Sequence, residues 1–194
     1  MLIPDQPAEA EIEIKRSRFF SQTCHLADQN QVKSIIMAKK NMYHDASHIV
    51  WAYCLGKDGD IFGYNDDREP KSTAGRPTYE VLKGSGIVHI LLTTVRYFGG
   101  TKLGTGGLVR AYTAAAKAVL EKTKVKTLID ELHFELKMNY QEYKVIKNIL
   151  LEWSANIDSE IFLDSVVIKG KIPEKNRLNC NKKLQDYSRG KLQI

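Results

Sequence analysis

The order of apolar patterns along the chain predicts an α+β protein built from two small domains. Its 194 residues exceed one typical domain and fall short of two large ones. Strand-like and helix-like segments are mixed in the first two thirds, and the last third reads strand, helix, strand, strand, helix, strand. The order of elements in the last third is that of the split βαβ fold of a ferredoxin-like domain. We therefore expect domains at residues 1–125 and 126–194, joined by a short basic linker.

The start of the first domain predicts two paired strands and a helix. Alternating apolar residues favour strands over Glu11 to Lys15 and Phe19 to His25. Asp28 is a suitable cap for the helix that follows. The apolar stripe expected to bury that helix comprises Val32, Ile35, Ile36 and Met42.

A hairpin, a buried strand and a long helix complete this domain. Strands over His48 to Leu55 and Asp60 to Tyr64 flank the turn Gly56 to Gly59, whose Asp and Gly residues favour a hairpin. Ile87 to Val95 is a nearly continuous apolar run, typical of a strand buried on both faces. The Ala-rich segment Leu108 to Leu120 predicts a helix.

The second domain contains the clearest capping signal in the chain. Asn139 and Glu142 have capping-box spacing at the start of an amphipathic helix. The expected elements are strands at 128–138, 157–163, 165–172 and 192–194, and helices at 140–154 and 173–187.

The segment from Val95 to Arg110, VRYFGGTKLGTGGLVR, places glycines between the buried strand and the long helix. Glycine takes positive φ and admits a ligand close to the main chain, and free amides at a helix start favour an anion. The glycines of this predicted anion site are Gly99, Gly100, Gly104, Gly106 and Gly107. Neither the dinucleotide-binding nor the Walker glycine pattern fits, so a Walker-type NTPase is disfavoured. A turn that needs glycine only for packing is the alternative.

Positive charge concentrates around this loop. Between Pro70 and Leu120, seven Lys or Arg stand against one acid, Glu80, a balance of +6. With aromatic residues interleaved, this pattern favours phosphate contacts and base stacking, although a solvated basic face is the simpler alternative. The side chains predicted to bind nucleic acid or another anion are Thr73, Arg76, Arg96, Tyr97, Lys102 and Arg110.

The segment Asp66 to Pro77, DDREPKSTAGRP, is predicted to be a polar loop that ends with Pro77 at the first position of a short helix. It could present Thr73 and Arg76 to an anion, or its acids to a hard cation. Metal binding is not favoured because the regular spacing of a calcium loop is absent, and the charges could simply pair with one another. A second polar site, with His48 as a general base, would comprise His48, Asp66, Asp67 and Glu69.

These two segments resemble the motifs of the YigZ/IMPACT family. The family carries D-D-x-E-P-x-x-T-A-G-[KR]-P, then R-[YF]-[YF]-G-G-x-x-L-G-x-G-G-L-x-[KR]-A-Y, and both runs occur here in order, the second directly after Val95. The likeness extends to Lys15, Ser17, Arg18 and Phe19 and to the final residues from Tyr187 onward, so it covers the full length. Arg68 and Ser72 depart from it, since both positions are commonly Gly in bacterial relatives.

The resemblance implies the fold of each domain more specifically. The first domain would be an α/β sandwich similar to the second domain of a small-subunit ribosomal protein. The second would be the ferredoxin-like domain that resembles one in elongation factor G. Eukaryotic relatives look like regulators of translation, and no catalytic residues are established for the family, so none is transferred.

Composition narrows the function further. No long apolar run predicts a transmembrane helix, and the acidic N-terminal segment is not typical of a secretory signal. Cys24, Cys54 and Cys180 lack the spacing of a zinc site or a disulfide framework, which favours the cytoplasm. We expect a translation-associated regulator that binds RNA or the ribosome, with no cofactor, no membrane partner and no assigned catalysis. The alternatives are a small enzyme acting on a phosphorylated substrate and a regulator that binds only protein.

Overall fold

The computed structural model describes residues 1–194 and divides them into two compact units, Met1–Leu128 and Ile129–Ile194. The strands of the first unit are β1 (Leu2–Pro4), β2 (Ala8–Ile14), β3 (Ser17–His25), β4 (His48–Leu55), β5 (Ile61–Asn65), β6 (Ile90–Tyr97) and β7 (Val125–Thr127). Its helices are α1 (Gln31–Met42), α2 (Gly75–Gly84) and α3 (Thr105–Lys122). The second unit contains β8 (Glu131–Met138), α4 (Tyr140–Glu152), β9 (Asn156–Phe162), β10 (Val166–Pro173) and α5 (Glu174–Ser188).

A five-stranded antiparallel sheet of order β2-β3-β6-β4-β5 forms the centre of the first unit. Strand β6 is buried on both faces, as its apolar run predicts. Alternate residues of the sheet pack against α1 on one face, with Tyr53 and Leu91, and against α2 and α3 on the other, with Ala52 and Leu92. The unit is therefore a three-layer α/β sandwich.

The hairpin between β4 and β5 forms at the predicted turn, and Gly56 and Gly59 both take positive φ. Helix α1 begins after Asn30, and Asp28 instead accepts a hydrogen bond from the Asn30 N–H. Met42 was wrongly placed in the apolar stripe, because it lies at the last position of α1 and its side chain is exposed.

Two short strands at the ends of the first unit were not predicted. β1 pairs antiparallel with β7, and the Asp5 N–H donates to the Lys124 carbonyl beside them. The segment expected to be a linker, around Lys122 to Lys126, thus belongs partly to a strand pair. Three-residue strands carry too little periodicity for their sequence to reveal them.

The second unit has the ferredoxin-like split βαβ, because β10 lies between β8 and β9 and pairs antiparallel with both. The Asn139–Glu142 capping box is present at the start of α4. The expected final strand at 192–194 does not form. Leu192 is buried, and the Asn181 side chain instead holds Ile194 through two hydrogen bonds of 2.6 Å. The last residues are thus held to helix α5 and not to the sheet.

Candidate functional site

The Asp66 to Arg76 segment and the glycine-rich segment meet at a buried charge network. The Glu69 Oε1 atom accepts hydrogen bonds from Arg96 Nη1 at 2.6 Å and from Tyr112 Oη at 2.7 Å. Burial and the neighbouring Glu69 raise the pKa of Tyr112 far above its ordinary value, so its hydroxyl stays a donor. One carboxylate therefore joins the polar loop, the end of β6 and the second turn of α3.

Arg96 was predicted to contact phosphate, and its position argues against that role. Only 5% of the residue is exposed, and its charge is compensated by Glu69. The guanidinium carbon lies 5.5 Å from the ring centre of Phe19 and 5.9 Å from that of Phe98. Arg96 thus supports the loop from inside the protein.

The acids of the predicted polar site are engaged by their own chain. Asp66 accepts hydrogen bonds from the backbone N–H groups of Ser72, Ala74 and Gly75, so it caps the start of α2. This carboxylate occupies the place where an external anion would bind that helix. Helix α2 begins at Gly75, so the loop is shorter than expected and Pro77 is the third helical residue.

Asp67 and His48 tie the same loop to the sheet. The Asp67 carboxylate accepts hydrogen bonds of 2.8 Å from Lys40 Nζ and from the Ile49 N–H. Burial alone would raise the pKa of Asp67, but these two donors lower it. His48 Nδ1 donates to the Asp67 carbonyl, and Nε2 lies 3.8 Å from Glu69 Oε1. The four residues His48, Asp66, Asp67 and Glu69 are thus neighbours that serve the loop's structure.

Arg68 and Ser72, the two departures from the family motif, both take positive φ, at 71° and 62°. Glycine would adopt this conformation without strain. The loop therefore keeps the backbone that the motif's glycines indicate.

Thr73 and Arg76, the loop's predicted anion contacts, face different surroundings. Thr73 is buried and its hydroxyl donates to the Pro70 carbonyl at 2.6 Å, so it is not available to a ligand. Arg76 is exposed on α2, with Nε 3.8 Å from Glu80. Of the two, only Arg76 can reach a ligand at the surface.

The glycine-rich loop is held by close backbone packing. A Cβ on Gly99 would lie 2.0 Å from the Arg16 carbonyl carbon, so no larger residue fits there. Gly100 and Gly104 take positive φ and turn the chain into α3. Gly106 and Gly107 form the first turn of α3, which has no side-chain cap and no acidic residue. That end of the helix is open to an anion.

Exposed cations surround the loop. Lys102 and Arg110 are exposed and make no ion pair, and the Arg110 guanidinium lies 3.7 Å from the place of a Cβ on Gly106. Arg16 is exposed in the β2–β3 turn that packs against Gly99. Lys102 and Arg110 were predicted. Arg16 was not, since only tertiary packing brings its turn to the loop.

The aromatic residues of the loop divide between surface and interior. Phe98, one of the aromatic residues interleaved with the predicted cations, is 51% exposed. Tyr97 is partly buried, and its hydroxyl lies 3.4 Å from Asp45 Oδ1. Burial and Asp45 raise the pKa of Tyr97. Alternation along the end of β6 could have indicated that only one of these neighbouring rings faces solvent.

An open groove of about 1020 Å³ lies between α2 and α3. Its apolar lining includes Val81, Ile87 and Val109, and the cations Arg76 and Lys117 also line it. This groove was not predicted, because its two helices are separated by strand β6 in the chain.

Three other features were considered: a metal site, a reactive thiol and a membrane-spanning helix. No group of three or more His, Cys, Asp and Glu side chains is arranged to hold a metal ion. Burial raises the pKa of Cys54 and of Cys180 to about 11, so neither thiol is activated as a nucleophile. None of the helices is long and apolar enough to cross a membrane.

The fold and the site define a two-unit α+β protein whose first unit presents a basic, glycine-rich loop at a helix start. Residues 15–120 match the family model described as the Impact N-terminal domain. The chain belongs to the IMPACT family, as its motifs indicated.

Similar proteins extend over the whole chain. It is 33% identical to the IMPACT family member YigZ of Escherichia coli, over 100% of this chain and 96% of that protein. It is 31% identical to an IMPACT family member of Haemophilus influenzae, over 100% and 95%. A crystal structure of a hypothetical protein, 32% identical, superimposes with a TM-score of 0.68 over 99% of this chain and 94% of that one. These matches support the predicted family and two-part fold.

Proposed function

We propose that this protein is a translation-associated regulator that binds RNA or the ribosome through the basic glycine-rich loop of its first unit. The observation that carries the proposal is the set of unpaired, exposed cations beside the uncapped start of α3. Lys102 and Arg110 have no acidic partner, and Arg16 is held against the loop by the packing of Gly99. This arrangement suits contacts with phosphates.

The positive charge at this surface is not neutralised by neighbouring acids. Some exposed cations elsewhere in the chain are paired, such as Lys126 with Asp5 and Lys169 with Glu135. The loop cations are not, and the open helix end adds a partial positive charge. An exposed aromatic ring, Phe98, belongs to the same glycine-rich segment. These features favour a polyanion with stackable bases over a single small phosphate.

The enzyme alternative is less well supported. The carboxylates of Asp66, Asp67 and Glu69 are all used by donors of the same chain. His48 donates its Nδ1 proton to a carbonyl, and no activated thiol is close to the site. No residue set therefore provides both a nucleophile and a base.

The test is the affinity for fluorescently labelled RNA, measured by anisotropy from low to physiological salt. Each lost phosphate contact should reduce the slope of log affinity against log salt by about 0.7 to 0.9. Lys102→Ala and Arg110→Ala should do so for all RNA sequences alike. Lys33→Ala, an exposed lysine of α1, is the matched control and should leave the slope unchanged.

Cosedimentation with ribosomes in sucrose gradients tests the cellular partner. The wild-type protein should travel with ribosomal particles at low salt, and the Lys102→Ala, Arg110→Ala double variant should not. Absence of both RNA binding and cosedimentation at low salt would contradict the proposal and favour a protein partner or a phosphorylated small substrate.

A further inference from the structure

Strand β5 lies at the edge of the five-stranded sheet and exposes aromatic rings to solvent. Its sequence, IFGYN, contains no charged residue and no proline. Such residues usually protect an edge strand from pairing with another chain. Phe62 is 49% exposed and Tyr64 is 39% exposed. Both rings face the α2 side of the sheet, because they pair across the ladder with Cys54 and Ala52, which pack against that helix.

The two exposed rings stand on a third, buried ring. Phe62 stacks on Tyr79 of α2 with ring centres 4.6 Å apart and planes inclined by 19°. Tyr64 stacks on the same ring at 5.6 Å and 25°. Tyr79 itself is buried and fixed in the core of the unit. Phe62 and Tyr64 are therefore oriented before any ligand binds, which reduces the entropy lost on binding.

The backbone between the rings is also fixed. A Cβ on Gly63 would lie 2.6 Å from the ring of Tyr53 on the opposite face of the strand. Gly63 thus lets β5 lie close against β4 while its neighbours present their rings outward. An exposed aromatic pair held this firmly is typical of a binding surface.

Two cations share one stripe of α2 with the buried ring of Tyr79. Arg76 precedes Tyr79 by three residues and Lys83 follows it by four, so all three occupy one side of α2. Both are exposed. Lys83 makes no ion pair, and Arg76 has only the 3.8 Å contact with Glu80. Positive charge thus lies on the stripe of α2 that carries the ring beneath Phe62 and Tyr64, where it suits the phosphates of a stacked nucleotide.

We propose that Phe62 and Tyr64 form a stacking platform for unpaired bases of single-stranded RNA, with Arg76 and Lys83 contacting the adjoining phosphates. The proposal rests on the proposed RNA binding and adds a second contact region to it. It also specifies the kind of RNA, because bases within a duplex are not free to stack on protein rings.

The test compares a labelled single-stranded oligonucleotide with a duplex of the same length, using the full chain. Phe62→Ala and Tyr64→Leu should each weaken single-strand binding by about 5- to 150-fold, the effect of losing one stacked base, with the salt slope unchanged. Tyr64→Phe keeps the ring and should bind as the wild type does. Ile61→Ala removes an exposed side chain of the same strand without removing a ring, and it should also bind normally.

A thermal melt of each variant separates binding from folding. Tyr64→Leu keeps the apolar bulk, so it tests the ring even if Phe62→Ala lowers the melting temperature. Normal single-strand affinity in folded Phe62→Ala and Tyr64→Leu would overturn the platform while leaving RNA binding through Lys102 and Arg110 intact. Absence of RNA binding by the wild type would overturn both proposals.

Two further outcomes would also overturn the platform. One is a preference for duplex over single strand. The other is a concentration-dependent dimer in sedimentation velocity that Phe62→Ala abolishes without changing RNA affinity, which would assign the edge strand to a second copy of the chain.

Discussion

The Glu69 carboxylate is buried in the first unit and bonded to two other buried side chains. It compensates the buried charge of Arg96 and accepts a hydrogen bond from the Tyr112 hydroxyl. Arg96 Nε has no hydrogen-bond partner, so the guanidinium depends on this one carboxylate for its charge compensation. A buried charge that loses its partner costs far more than a lost surface pair.

Glu69→Gln should therefore destabilise the protein strongly. The expected loss in free energy of unfolding is about 3 to 5 kcal/mol, because the Arg96 charge stays buried without compensation. Urea denaturation measures it. Tyr112→Phe is the matched control, since it removes one hydrogen bond to the same carboxylate and should cost about 1.5 to 3 kcal/mol. A Glu69→Gln variant within 1 kcal/mol of the wild type, on the scale of an exposed pair, would contradict this interpretation.

Asp67 should make stability depend on pH on the acid side. Its pKa is lowered in the folded state, so its contribution is complete above the unfolded value of about 3.9 and is lost as pH falls through the folded value. Asp67→Asn should lower the free energy of unfolding by about 1.5 to 3 kcal/mol at pH 7, and by progressively less below pH 4. Urea unfolding between pH 7 and pH 3 measures the difference.

Asp58→Asn, at an exposed turn position, provides the control for that experiment. The free energy of unfolding of this variant at pH 7 should stay close to that of the wild type. If Asp67→Asn lowered the free energy of unfolding equally at pH 7 and pH 3, the hydrogen bonds from Lys40 and Ile49 to the ionised carboxylate would not be the cause.

At the scale of elements, the glycine-rich loop is defined by packing at its start and by an open helix at its end. Gly99 lies against the β2–β3 turn, and its N–H donates to Ser17 Oγ at 3.2 Å. Gly106 lies in the first turn of α3, where nothing but the Arg110 side chain is near. Gly99 is thus required because no larger residue fits, whereas Gly106 has room for a side chain.

Substitution by alanine should distinguish those roles. Gly99→Ala places a methyl group against the Arg16 backbone and should cost about 3 kcal/mol or more, the upper end of overpacking. Gly106→Ala meets only a flexible side chain and should stabilise α3 by about 0.5 to 1 kcal/mol. Thermal melts of the two variants measure the effects. Equal melting temperatures for both would contradict the packing argument.

At the scale of the whole molecule, each of the two units has its own apolar core. The first unit packs its sheet between α1 and the pair α2 and α3, and the second packs β8, β9 and β10 against α4 and α5. The β1–β7 pair closes the first unit at Leu128, beyond the helix that ends at Lys122. A domain with a complete core should fold alone.

We predict that the fragment 1–128 folds independently and melts cooperatively. The fragment 1–124 lacks β7 and should melt several degrees lower, because β1 loses its partner strand. Circular dichroism melts and amide dispersion in NMR spectra measure both. An unfolded 1–128 fragment would contradict the independence of this unit, and equal melting temperatures would show that the strand pair adds no stability.

The sequence by itself determined the features that depend on neighbouring residues. The hairpin at Gly56 to Gly59, the buried run of β6 and the Asn139 capping box each follow from a local pattern. The family could also be recognised from the sequence, because each of its two motifs is a contiguous run of residues. Helix and strand signals of this kind need no knowledge of the distant chain.

Only the tertiary structure decided which charges are available to a ligand. Arg96 and Lys102 are both basic residues of one segment, yet one is buried against Glu69, 27 residues away, and the other is exposed. Phe62 and Tyr64 became a candidate surface only when α2 placed Tyr79 beneath them. The physical reason is that burial and ion pairing depend on contacts between segments distant in sequence, which local patterns do not encode.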